Sequence, residues 1–193
     1  PVRDELTFRY GLGAVKGVGQ SAVEAIIAER AAQGRFASLE DLCRRLDLNR
    51  VNKRVLEALI RSGSLDSLDV NRNMLMTRLP AAMQLGEQDT RAKSSGQDDL
   101  FGLAPAPRTE ELVETSALPE WPEAVRLAGE RDTLGLYLTG HPITQYENEL
   151  KLLTHGRIAD LASGRPMASG ENGRAWQPGR VVTVAGLVMD IRK

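Results

Sequence analysis

YGLGAVKGVGQSAVEAIIAER, residues 10–30, reads as a short helix, a glycine hairpin and a second helix. The hairpin is Lys16-Gly17-Val18-Gly19. After it, Val23, Ile26, Ile27 and Arg30 recur at helical spacing, with Ala22 and Ala25 beside them. Ser21 is the expected N-cap, and Glu24 three residues on completes a capping box. Two glycines one residue apart let the backbone turn tightly and approach another chain closely. Their N–H groups then point outward beside a helix N-terminus, where Lys16 adds a positive charge, which makes an anion site.

The natural anion for a hydrophobic-Gly-hydrophobic-Gly hairpin between two helices is a nucleic-acid phosphate, and such a contact reads backbone rather than bases. The alternative is a tight αα-hairpin whose glycines only let the helices pack.

Outward from this stretch the chain stays helical. Residues 1–9 are an extended lead-in or a short strand, and residues 20–32 form the first long helix, with Gly34 as its stop. Ser38 caps Leu39–Leu46, with Leu39, Leu42, Cys43 and Leu46 on one face. Asn52 caps a helix whose buried stripe is Val55, Leu56, Leu59 and Ile60. Arg50, Lys53 and Arg54 gather at its start, where the helix dipole disfavours cations; a phosphate partner explains them, as does plain solvation. Ser62-Gly63-Ser64-Leu65 is a second hairpin, with Ser64 where the first hairpin has its second glycine. Asn71 then caps a helix carrying Met74, Leu75, Leu79 and Met83. Residues 1–85 therefore hold two helix-hairpin-helix units bridged by one helix, and each unit alone is too small for a core.

Residues 86–119 change character to a polar run with Gly, Pro, Ser and acid clusters, the composition of a flexible linker. Gln97-Asp98-Asp99-Leu100-Phe101 interrupts it. A linker that docks into a pocket needs apolar anchors such as Leu100 and Phe101, and the Gln97 amide can fix the register of a short peptide. The other reading has Leu100 and Phe101 folding back onto the helical domain. Residues 120–155 form a helical connector, ended by Gly140-His141-Pro142. No carboxylate or Cys lies at ligand spacing from His141, so it reads as a structural, helix-ending residue and no metal is expected. Residues 156–193 comprise a loop and the strand RVVTVAGLVMDI, 180–191, which resembles the first strand of a small barrel. One strand cannot close a sheet, so a piece of a longer protein is expected.

Composition sets the bounds. The chain has 193 residues, 41% hydrophobic, 4% aromatic and 26% charged, which suits a soluble, mainly α protein. The single cysteine, Cys43, excludes an intrachain disulfide and points to a reducing, cytoplasmic setting. No apolar run is long enough to cross a membrane. Residues 1–79 hold 13 Lys/Arg against 10 Asp/Glu, whereas residues 87–132 hold 5 against 11. This balance favours local phosphate contact at the front over one DNA-coating surface.

Taken together, YGLGAVKGVGQSAVEAII, RVNKRVLEALIRSGSLD, the pentamer QDDLF between glycines, and GERDTLGLYLTGHPI resemble the C-terminal region of the bacterial DNA polymerase III alpha subunit, the replicative C-family polymerase. The resemblance covers most of residues 6–155 and resumes at 181–188. It implies a tandem helix-hairpin-helix domain that binds duplex DNA, with Lys16, Gly17, Val18, Gly19, Gln20 and Ser21 holding phosphates and Ser62, Gly63 and Ser64 as weaker candidates. It implies that Gln97, Leu100 and Phe101, spaced by Asp98 and Asp99, bind the sliding clamp (the beta subunit). It further implies that residues 180–191 start an oligonucleotide-binding (OB) barrel, and that other subunits of the holoenzyme are partners through regions not in this chain. The family's catalytic aspartates would lie upstream, so neither catalysis nor a cofactor is expected here. Other readings are a helix-hairpin-helix module of a repair enzyme or nuclease, which would need a catalytic cluster, and a scaffold whose hairpins only pack.

Overall fold

A computed structural model describes residues 10–69, 71–94, 118–154, 156, 158–159, 181–188 and 191. The chain divides into two units, residues 1–138 and residues 139–193.

In the first unit Ser38, Asn52 and Asn71, three of the four polar residues read as caps, do cap helices. A 3-10 turn, Leu12–Ala14, leads through the hairpin into α1, Gln20–Gln33, which stops at Gly34 (φ +80°). The Ser38 hydroxyl accepts from the Asp41 N–H at 3.2 Å and starts α2, Leu39–Arg45. Its first turn is acidic and its last basic, which complements the helix dipole. Asn52 Oδ1 accepts from the Val55 N–H at 3.2 Å at the start of α3, Lys53–Arg61. Asn71 Oδ1 accepts from the Met74 N–H at 2.9 Å at the start of α4, Arg72–Ser94. The last helix of this unit is α5, Glu123–Leu134.

The core is built around α3, whose Val55, Leu56, Ala58, Leu59 and Ile60 are all buried. Leu39, Leu42 and Cys43 of α2 join it, as do Leu75, Leu79 and Ala82 of α4. Val15 and Val18 enter from the first hairpin and Leu134 from α5. Cys43 is fully buried, and burial, with Glu40 beside it, pushes its thiol up to about 12. It packs as an apolar side chain.

The region expected as a linker from residue 86 begins as helix. α4 continues to Ser94 because it lies against α2 with no side chain between them at Gly86. A Cβ there would stand 2.3 Å from the Cys43 carbonyl oxygen. Arg44 and Asp89 pair across the same contact at 3.2 Å. At the far end of that region, the Asn71 and Asn73 side-chain amides donate to the carbonyls of Leu118 (2.7 Å) and Pro119 (2.8 Å). Residues 95–117, including Gln97, Asp98, Asp99, Leu100 and Phe101, lie outside the described residues.

The segment expected as a connector over 120–155 is split differently. Its first helix, α5, belongs with the hairpins in residues 1–138, because Leu127, Glu130, Thr133 and Leu134 are buried there. α5 ends at Gly135, not at Gly140-His141-Pro142. Gly135 takes the left-handed conformation (φ +74°) and returns its N–H to the Arg131 carbonyl.

The second unit holds a 3-10 turn, Pro142–Tyr146, and α6, Glu147–Leu153. His141 starts this turn, its Nδ1 accepting from the Ile143 N–H at 3.2 Å. The strand expected over 180–191 is not formed in its described part: residues 181–188 have no regular structure, and Val181 and Val188 are exposed. A strand is held by pairing with a neighbour, and among the described residues no strand is present to pair with it. No helix among the described residues is long and apolar enough to cross a membrane.

Candidate nucleic-acid interface

The first hairpin alternates anchored and free positions. Val15 and Val18 are buried, while Lys16, Gly17, Gly19, Gln20 and Ser21 are exposed. The buried valines fix the loop to the core, and Lys16 and Gly17 between them are exposed. Gly17 sits at φ +92°, where an L side chain is strained; space is not the constraint, since a Cβ would meet only the Ala58 Cβ at 3.7 Å.

α1 starts one residue pair earlier than its capping box predicts. The N-cap is Gly19, whose carbonyl accepts from the Ala22 and Val23 N–H groups at 3.1 and 3.2 Å. Ser21 therefore stands inside the first turn, and the Glu24 carboxylate accepts from the Gln20 side-chain amide at 2.7 Å. Gly19 offers no side-chain oxygen to the first turn. As a result the N–H groups of Gly17, Gly19, Gln20 and Ser21 have no acceptor among the described residues. Four donors beside Lys16 at the positive end of a 14-residue helix form a nest suited to an oxyanion.

Arg54 extends this site. Gly17 lies over Ala58 of α3, and Arg54 precedes Ala58 by one helical turn, on the same face. Arg54 is exposed and has no ion pair among the described residues. Arg50 and Lys53 are held loosely by acidic neighbours, Asp47 at 3.7 Å and Glu57 at 3.8 Å, in pairs exposed enough to exchange with water or another anion.

The second hairpin has the same glycine but a different chemistry. Gly63 (φ +76°) is the left-handed residue of a Schellman motif closing α3. The Gly63 N–H donates to Ile60 and the Ser64 N–H to Leu59, at 3.0 and 2.9 Å, while the Ser62 N–H donates to Ala58 at 2.9 Å. The Ser62 hydroxyl, buried, donates to the Leu59 carbonyl at 2.9 Å and lies 2.8 Å from the Ser64 hydroxyl. All three N–H groups are thus engaged inside the fold. A cation is already in place as well: a Cβ on Gly63 would lie 2.2 Å from Arg72 Nη2.

The helix start that follows is also filled. The Glu120 carboxylate accepts from the backbone N–H groups of Arg72 (2.7 Å), Asn73 (3.2 Å) and Trp121 (2.6 Å). Burial alone would raise its pKa, but these donors and Arg126 outweigh burial and hold it below the ordinary value. The protein's own carboxylate therefore sits at the α4 N-terminus, and the α1 N-terminus is left open.

Behind both hairpins lies a charged cluster that the helical periodicity did not single out. Arg72, almost fully buried, holds Asp66 with two bonds (Nε to Oδ1 2.8 Å, Nη2 to Oδ2 2.7 Å) and Glu130 with one (3.0 Å). Burial pulls the guanidinium pKa down, but Asp66 and Glu130 outweigh it. The signal was present: Arg72 lies at helical spacing with Leu75 and Leu79, and Glu130 with Leu127 and Leu134, so each charge stands on an apolar face. Among the described residues no group of three or more His, Cys, Asp or Glu is placed to hold a metal ion.

The helix-hairpin-helix motif family matches residues 2–75, which span both hairpins. The DNA polymerase III alpha subunit of Vibrio cholerae is 44% identical over 192 residues, 99% of this chain and 15% of that protein. This chain is similar, along nearly its whole length, to one segment of DNA polymerase III alpha subunits. The alpha subunit of Escherichia coli K12 is 44% identical over 193 residues, covering 99% of this chain and 16% of that protein. That of Xylella fastidiosa Temecula1 is 41% identical over 191 residues, covering 97% and 16%. The chain thus spans about a sixth of the length of these alpha-subunit relatives. The match to them runs through α5 and beyond, well past the residues that the motif family covers.

Proposed function

We propose that this chain is a DNA-holding and clamp-holding part of a replicative DNA polymerase, and that it takes part in no chemical step itself. One observation carries the DNA contact: the N–H groups of Gly17, Gly19, Gln20 and Ser21, beside Lys16, have no acceptor among the described residues. Duplex DNA presents phosphates of matching charge, and a backbone-amide contact accepts any base sequence. Arg54, with Arg50 and Lys53, adds long-range attraction to the same strand. The second hairpin and its neighbour helix are assigned a structural part, because their N–H groups already have acceptors.

The alpha-subunit relatives support reading Gln97-Asp98-Asp99-Leu100-Phe101 as the tether to a sliding clamp in the cytoplasm. Two weak contacts joined by a connecting segment raise each other's effective concentration, so a polymerase stays on DNA with modest affinities. The apolar alternation of 181–188 supports a strand that pairs within an OB barrel of the larger protein.

Lys16→Glu tests the DNA contact. Fluorescence anisotropy with a short duplex at low salt is expected to show about tenfold weaker binding, alike for unrelated sequences, with a salt slope lower by about one. Equal affinity and slope would remove the hairpin from the mechanism. The tether is tested by calorimetry against a bacterial sliding clamp. The combined variant Gln97→Ala, Leu100→Ala, Phe101→Ala is expected to give no binding heat where the wild type does, and equal heats from both would refute it.

A further inference from the structure

The first hairpin does not stand on its own helix pair alone. The Lys16 N–H donates to the Thr133 carbonyl at 2.8 Å. The Tyr10 hydroxyl donates to the Leu134 carbonyl at 3.2 Å, across 124 positions of chain. Both acceptors lie in the last turn of α5, so the loop that presents the free amides hangs from a helix far away in sequence.

That last turn is in turn fixed by one carboxylate. Glu130 is fully buried. Its Oε1 accepts from Arg72 at 3.0 Å, which ties α5 to the first turn of α4. Its Oε2 accepts from the Leu138 N–H at 2.7 Å, which pins the chain as it leaves α5 past Gly135. The Thr133 hydroxyl donates to the Gly129 carbonyl at 2.7 Å, so the side chain turns back along α5. Gly129 itself lies flat on Arg61 at the end of α3; a Cβ there would be 3.4 Å from the Arg61 carbonyl. A buried ion pair seldom stabilises more than apolar side chains of equal volume. Its bonds are directional, however, and here they hold a helix end that supports a loop.

We infer that Glu130 is a positioning residue for the phosphate contact: by fixing the last turn of α5, it sets where the Lys16–Ser21 amides stand. This rests on the reading that the first hairpin holds phosphate. The chain of contacts is Glu130 to the α5 end, Thr133 carbonyl to Lys16 N–H, and Lys16 to the nest. Loosening the first link lets the nest shift while Val15 and Val18 stay in the core.

The test replaces the pair, not one partner. Arg72→Met with Glu130→Leu, in the whole 193-residue chain, swaps charges for apolar volume. The folded double variant is expected to melt at or above the wild-type temperature. In the absence of DNA, exchange of the Lys16 amide is expected to speed up while the Ala22 and Val23 amides keep their protection. Affinity for a short duplex is expected to fall about tenfold, the size of one hydrogen bond to a charged group. A folded double variant with wild-type Lys16 protection and wild-type affinity would overturn the inference. Where the double variant does not fold, Glu130→Gln keeps the shape and removes the charge. A faster Lys16 exchange then supports the inference, and unchanged exchange overturns it. The Lys16 amide reports without DNA, so this failure is separate from failure of the phosphate reading, which is marked by wild-type binding insensitive to Lys16→Glu.

Discussion

Glu130→Ala is expected to lower the stability of the first unit by about 3–5 kcal/mol, seen as an earlier urea midpoint with an unchanged slope. The variant leaves Arg72, which is 2% exposed, with Asp66 as its one ionic partner among the described residues. It also strips the Leu138 N–H of its acceptor and opens a cavity beside Leu127. The Arg72 guanidinium and the cavity lie where water reaches poorly, so the charge left behind keeps its desolvation penalty. A midpoint equal to wild type would mean that Asp66 alone satisfies the guanidinium. The contrast with the paired apolar replacement is the useful part. One substitution takes one of two carboxylate partners from a buried charge and the other removes the charge, so the same site yields a large loss or a small one.

Gly86→Ala is the second large effect, about 3 kcal/mol of destabilisation in the same unfolding measurement. The added Cβ would stand 2.3 Å from the Cys43 carbonyl oxygen and 2.8 Å from its carbon. Both are backbone atoms of α2, so no side-chain rotation relieves the overlap and the two helices must part. Parting them disturbs Leu42 and Cys43 on one side and Leu79 and Ala82 on the other. Gly13→Ala is the control: nothing lies within 4 Å of its added Cβ, and its stability is expected to stay within about 0.5 kcal/mol of wild type. Equal midpoints for the two variants would show that α2 and α4 do not meet at Gly86.

These two sites mark the boundary of what could be read from residue order. Local chemistry was legible. Ser38, Asn52 and Asn71 cap the helices they precede, and the stripe of α3 is buried as its spacing requires. These are contacts within a few residues, governed by propensity and periodicity. The Ser21 capping box failed because Gly19, two residues earlier, already supplies the carbonyl that begins α1. Composition misplaced the start of the linker: Gly86-Glu87-Gln88-Asp89 is polar, yet it forms one turn of a helix whose glycine admits a neighbour's backbone. The role of α5 was not legible at all, since Thr133 and Glu130 act on Lys16 and Arg72, 117 and 58 positions away, and spacing along one helix carries no record of such partners.

The same distinction governs the site. Both hairpins carry a glycine with positive φ, and from the pattern both are candidate anion sites, the second the weaker. They differ in what their N–H groups already do. In the second, the Schellman motif, Arg72 and Glu120 supply internally what a phosphate and its counter-charge would bring. In the first, glycine at the N-cap leaves the donors open.

The most direct measurement is a titration of the isotope-labelled chain with a short duplex at low salt, following backbone amide resonances. The account predicts shifts at Gly17, Gly19, Gln20 and Ser21 that saturate together, with Ser62, Gly63 and Ser64 unmoved. Shifts at Ser62–Ser64 with none at Gly17–Ser21 would contradict it.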